Sequence, residues 1–208
     1  MILDPQALSP GRFYQFMIGV VVPRPIAFIS TVSAAGRFNV APFSFFNAIS
    51  SQPPLLGVAI NRRAGEPKDT LRNIREVEEF VVNVVSEPLA ERMVQASGDW
   101  PMDVDEFDLT GLTRVPSDLV KPPRVGESPV SLECRLYRLI ELGASFFVVG
   151  EIVRGHVSDE VLTEGRVDIA KLRPVGRLGG DGYSLVRDVI HLPRPVVDRE
   201  TGRRGGAG

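Results

Sequence analysis

The sequence predicts a mainly β protein: an antiparallel, closed or partly closed barrel carrying a few helices. Two observations lead there. Short apolar or alternating segments recur at close spacing, each bounded by turn residues. The 208 residues also include 20 glycines and 17 prolines, an excess that favours turns and short strands over long helices.

The elements follow in chain order. Ser9-Pro10-Gly11 marks a helix start, with Ser9 as cap and Pro10 in the first position, and Phe13, Phe16 and Met17 recur at helical spacing. Ile26 to Ser33 is short and β-branched, a strand that Ala34 to Arg37 would turn into a second strand from Phe38. Ser51 to Pro54 breaks the chain before a buried strand at Leu55 to Asn61. Asn61 to Pro67 is a polar loop, followed by a short helix with Leu71, Ile74 and Val77 on one face, capped by Asp69 or Thr70.

Phe80 to Val85 is another buried strand, and Ser86-Glu87-Pro88 opens a helix to about Ala96. Residues 98 to 128, with Pro101, Pro116, Pro122 and Pro123, are expected to be a long irregular stretch serving function or a subunit contact. Val130 to Tyr137 alternates as a half-buried strand, linked through Leu142-Gly143-Ala144 to a partner at Phe146 to Val153. Asp159 to Leu172 has weak helical character. The domain is expected to span 1–193, with 194–208 a disordered tail rich in Arg, Gly and Asp.

Composition excludes several functions. One cysteine, Cys134, cannot form an internal disulfide, and with only His156 and His191 beside it a thiol–imidazole zinc site is not expected. A reducing, cytoplasmic home fits that inventory. With 24 basic and 26 acidic residues the chain has no electrostatic footprint for nucleic acid. No apolar run approaches the ~20 residues of a spanning helix, so no membrane association is expected. Neither G-x-G-x-x-G after a strand, nor G-x-x-x-x-G-K-[ST], nor G-x-S-x-G occurs. Demanding chemistry would therefore belong to a bound organic cofactor.

Four segments carry possible chemistry, each with an ordinary structural reading beside it. Arg24 to Thr31 reads first as a buried strand entered through two prolines. Asn39 to Asn47 reads either as core aromatics between turn-forming asparagines or as a pocket for a planar ligand, aromatic faces covering a ring and amides meeting its polar edge. Arg62-Arg63 and Lys68-Asp69-Thr70 form either a solvated loop with a capped helix or an anion site at a helix N-terminus. Asp69 would then serve as cap or orient Lys68. Pro174 to Tyr183 is a glycine-rich loop that could deliver Arg177 and Tyr183 to a site, including that of a neighbouring subunit. His156 and Cys134 read as structural, and Trp100 with Asp103, Asp105, Glu106 and Asp108 as a solvated loop.

In order and spacing these segments resemble the flavin reductase-like, FMN-binding split-barrel family, in the branch that includes flavoredoxin and the DIM6/NTAB group. The resemblance rests on RPIAFIST at Arg24 to Thr31, NVAPFSFFNAIS at Asn39 to Ser50, QPPLLGVAI at Gln52 to Ile60 and KDTLRNI at Lys68 to Ile74, then FVVNVV from Phe80, FFVVGEIV from Phe146 and GRLGG from Gly176. It implies an antiparallel split barrel that dimerises and holds FMN near the subunit interface. Ser44, Phe45, Phe46 and Asn47 would line the isoalloxazine, with Thr31 beside it. Lys68, Asp69 and Thr70 would meet the phosphate, with Arg62 as a further candidate. The implied activity is NAD(P)H-dependent flavin reduction, with NADH or NADPH as co-substrate and no catalytic acid or base. A monooxygenase or an electron-transfer protein is the implied partner class. The alternatives are a flavoredoxin-like electron carrier, an FMN-dependent oxygenase and a non-enzymatic binding module.

Overall fold

The computed structural model describes residues 2–63, 65–101 and 103–195, so the tail expected beyond Arg194 lies almost wholly outside the described residues. The chain opens on helix α1 (Pro10–Val20), whose Ser9 cap accepts from the Arg12 N–H as expected. Strands β1 (Ala27–Val32), β2 (Phe38–Phe43), β3 (Phe46–Ser51) and β4 (Pro54–Asn61) follow, then α2 (Asp69–Val77) and β5 (Glu79–Val84). A 3₁₀ turn leads into α3 (Ala90–Ala96), then α4 (Glu106–Thr110) and the two-residue strands β6 (Arg114–Val115) and β7 (Arg124–Val125). The long hairpin β8 (Val130–Leu142) and β9 (Ser145–Val157) is followed by β10 (Leu162–Thr163), β11 (Arg166–Val167), α5 (Ile169–Leu172), β12 (Val175–Arg177) and β13 (Tyr183–Leu185).

One antiparallel sheet of seven strands runs in the order β2-β1-β5-β8-β9-β4-β3. Its two edges, β2 and β3, are consecutive in the chain and separated only by Ser44 and Phe45. Two intervening residues let Phe43 and Phe46 lie no more than ~11 Å apart. The sheet must therefore curl until its edges nearly meet, which makes a barrel. Those edges do not pair, which leaves the barrel split at Ser44–Phe45. The Ala59 N–H donates to the Phe45 carbonyl at 2.8 Å and ties the seam to β4.

Alternation divides the core in two. Ala27, Ile29, Val82, Phe80, Val58, Ile60 and Val148 fill the barrel, closed at one end by Leu71 and Ile74 of α2. Phe28, Val40, Val85, Met93 and Phe107 form a second cluster outside it, under α3 and α4. Covered on both faces, β1 is buried at all six positions.

Several expectations need correction. Asp69 and Thr70 do not cap α2: Lys68 holds the N-cap position without a side-chain bond, and Asp69 is the first helical residue. Residues 98–128 are not one irregular stretch. They carry α4, β6 and β7, bury Phe107, Leu112 and Val125, and are pinned where Ser30 Oγ donates to the Pro123 carbonyl and Asn83 Oδ1 accepts from the Val125 N–H. The weak helix expected at 159–172 is a 3₁₀ turn, a tiny hairpin and only Ile169–Leu172 in α-helix.

Candidate functional site

A trough follows the split of the barrel in three connected parts. The first, about 420 Å³, lies between the end of α1 and the seam, walled by Met17, Val21, Pro23, Phe45, Phe46 and Asn47. Arg24 and Ser44 belong both to it and to the middle part of about 290 Å³, which Arg177 and Tyr183 also line. Lys68, Pro42 and Ser97 carry the trough from there into the third part, about 190 Å³, beside Asn39, Thr70 and Trp100. One end is apolar and aromatic, the other polar and lined by charged side chains of both signs.

The position of Lys68 arises locally. Lys68 precedes α2, and no side chain satisfies that helix's first free N–H groups. Its ammonium lies 5.6 Å from the Phe43 ring centre, and burial pushes its pKa down, with Asp99 opposing and Arg63 adding to the shift. Among the described residues it has no ion-pair partner. A desolvated cation at an uncapped helix start is a site for an anion.

Of the residues singled out in the sequence, Ser44, Phe45, Phe46 and Asn47 stand together on the first wall, and Lys68, Asp69 and Thr70 stand together on the third. Thr31 does not reach the trough. It is fully buried, and its hydroxyl accepts from the amides of Asn39 (3.3 Å) and Asn73 (3.0 Å). The same Asn39 amide donates to Thr70 Oγ1 at 3.0 Å, so Thr31 and Asn39 brace Thr70 from behind. Arg62 is also elsewhere, paired with Glu141 and 4.5 Å over the Phe146 ring. Asp69 pairs with Arg72 rather than orienting Lys68.

Two further residues line the trough. Arg24 opens a segment whose first reading, a buried strand entered through two prolines, gives its side chain no role. Glu106, taken with its acidic neighbours for a solvated residue, is 9% exposed and accepts from the Val40 N–H. Burial raises its pKa to about 7, with Asp105 and Asp69 adding to the rise against its backbone hydrogen bonds. Nothing local in the sequence marks it, because it is the packing of α4 on β2 that buries it. Cys134 is fully buried with its thiol pKa raised, as a structural thiol requires, and His156 sits 2.6 Å from the buried Glu133 carboxylate.

The residues present fit a flavin nucleotide. A desolvated cation without an ion-pair partner among the described residues and free helix N–H groups suit a phosphate, and a wall of Phe45, Phe46, Met17 and Val21 suits a fused ring system. Fold and site together define a split-barrel protein with a trough along its seam, aromatic at one end and carrying Lys68 towards the other. The chain belongs to the flavin reductase-like family: the model of the flavin reductase like domain matches residues 19–172.

An uncharacterized protein of Halalkalibacterium halodurans is 41% identical over 206 residues, covering 96% of this chain and 99% of its own. Among solved structures, nitrilotriacetate monooxygenase component B from Bacillus cereus superposes with a TM-score of 0.90 at 33% identity, covering 92% of this chain and 98% of its own. The Pseudomonas fluorescens 2-nitrobenzoate 2-nitroreductase superposes with a TM-score of 0.87 at 35% identity, covering 97% and 100%. No helix among the described residues is long and apolar enough to cross a membrane.

Proposed function

We propose that this chain is an FMN-binding oxidoreductase that reduces its flavin with NADH or NADPH. The observation that carries the reading is the trough itself, which joins the Phe45–Phe46 wall to the desolvated Lys68, a cation without an ion-pair partner among the described residues. Bound FMN supplies hydride acceptance and onward electron transfer. The chain's part is placement. Phe45, Phe46, Met17 and Val21 exclude water from the ring. Ser44 and Asn47 present polar groups to its edge. Lys68 and the first N–H groups of α2 hold the phosphate, while Asn39 and Thr31 fix Thr70 against it. No general acid or base is required, which suits a chain with two histidines and one buried cysteine.

The similarity to a monooxygenase component supports a partner that consumes reduced flavin, a monooxygenase or another electron-transfer protein. The similarity to a nitroreductase supports a second reading, direct reduction of a small aromatic substrate stacked on the open apolar wall. A homodimer with the site near its interface and a cytoplasmic location complete the proposal. The test is the visible spectrum of the purified protein, then anaerobic titration with NADH and NADPH. A yellow protein bleached by either nucleotide is expected, and a colourless protein that takes up no added FMN would sink the reading.

A further inference from the structure

Arg24 is the buried cation that the flavin-binding scheme does not use. It is 6% exposed and stands where α1, the seam and the β12 segment meet. Its Nη1 donates to the carbonyls of Ile18 (2.8 Å) and Val21 (2.7 Å), its Nη2 to that of Leu178 (3.0 Å), and its Nε lies 3.4 Å from Ser44 Oγ. A guanidinium has five N–H groups, so one remains over, and none of the four acceptors carries charge.

Its neighbour makes the placement stranger. Arg24 and Arg177 face each other across an antiparallel bridge, exchanging backbone N–H···O bonds of 3.0 and 2.8 Å. Directly opposed residues send their side chains to the same face, where like charges repel. Neither arginine has a carboxylate partner among the described residues. The middle part of the trough adds a third cation, Lys68, and no acidic residue lines it. Arg114 shows the opposite habit, meeting both Asp105 and Asp108. Burial, with Arg177 adding to it, pushes the pKa of Arg24 down, as for a charge short of a counter-ion.

A purely structural role, stapling the end of α1 to Leu178, accounts for the carbonyl bonds. It does not account for a second arginine held opposite, nor for the contact with the ring-binding wall, where the guanidinium sits 5.7 Å from the Phe45 ring centre. The phosphate does not require this pair either, because Lys68 and the start of α2 serve it at the other end. We infer that Arg24, with Arg177 beside it, faces the pyrimidine edge of the flavin and stabilises the negative charge that reduction leaves there, so that the pair sets the reduction potential of the bound cofactor. The inference rests on the flavin reading above.

The test compares affinities for oxidised and reduced FMN, with the midpoint potential measured by dye equilibration, in the wild type and in Arg24→Gln, Arg24→Lys and Arg177→Gln. Arg24→Gln is expected to weaken reduced FMN at least ten-fold more than oxidised FMN, lowering the potential by about 30 mV or more. Arg24→Lys should restore most of that difference. Arg177→Gln should shift it less, in the same direction. The Arg177 side chain donates to the exposed Gly180 carbonyl and lies 4.5 Å over the Tyr183 ring, neither a core contact, so this variant decides the matter if Arg24→Gln does not fold. Equal losses for both redox forms, with the potential unchanged in every folded variant, would overturn the inference and leave the flavin reading standing. A wild type that takes up no flavin would overturn both.

Discussion

Lys68 and Glu106 both line the polar part of the trough, and burial works against the charged form of each. Lys68 is a desolvated cation that an anion would relieve. Lys68→Ala should therefore weaken FMN about ten-fold or more while leaving riboflavin, which has no phosphate, nearly unchanged; equal loss for both would contradict the phosphate assignment. Glu106 is a carboxyl whose folded pKa, about 7, lies above its ordinary 4.5. The native state then binds more protons than the unfolded state between those values, so the stability this group provides is full below about pH 4.5 and is lost as pH rises through about 7. Glu106→Gln should remove that component. Its melting temperature, compared with the wild type across pH 5 to 8, should rise progressively relative to it, and a constant offset would refute the assignment. Ser44 to Asn47 and Lys68 were legible in the sequence because each lies in a dense local pattern. Arg24 and Glu106 were not, because their roles come from segments distant in the chain folding over them.

Among the elements, β1, β2, β4 and β5 fall where apolar runs between turn residues put them, since both sheet faces are covered there and burial writes itself into the text. The helix caps and the 98–128 excursion were less readable. Lys68 at an N-cap is not a preferred capping residue, and α4, β6 and β7 are too short for periodicity to register. The β8–β9 hairpin extends past the expected ends on both strands, because antiparallel pairing runs from Val130↔Val157 to Leu142↔Ser145, beyond the stretches that local pattern marks. Two glycines of β9 separate packing from backbone freedom. A Cβ on Gly150 would fall 2.4 Å from the buried Phe80 ring, whereas on Gly155 its nearest neighbour would be 3.6 Å away. Gly150→Ala should cost about 1–3 kcal/mol and Gly155→Ala much less, read from urea midpoints.

At the scale of the whole molecule, the barrel could be inferred from the number and spacing of strands, but the place where it splits could not. That place follows from Ser44 and Phe45 joining opposite edges of one sheet, a property of topology rather than of local sequence. The edge strand β3 stays uncovered, with Ile49 48% exposed, and Tyr137 and Leu142 are exposed on the neighbouring long hairpin. An unpaired edge with apolar side chains invites association, and a second copy of this chain is the proposed cover. Sedimentation should give roughly twice the 22.7 kDa of one chain. Ile49→Lys should shift the protein towards monomer and, with the site near that interface, weaken FMN. A wild type that sediments as one chain would remove the dimer from the proposal.

The burial of Cys134 between β5 and β9 has a practical consequence. Its thiol is fully covered and held protonated, so thiol-directed dyes or spin labels would find no native target in the folded chain. A cysteine introduced at one surface position would then be the sole point of attachment, and distances between two such probes would report directly on how copies of the chain are arranged.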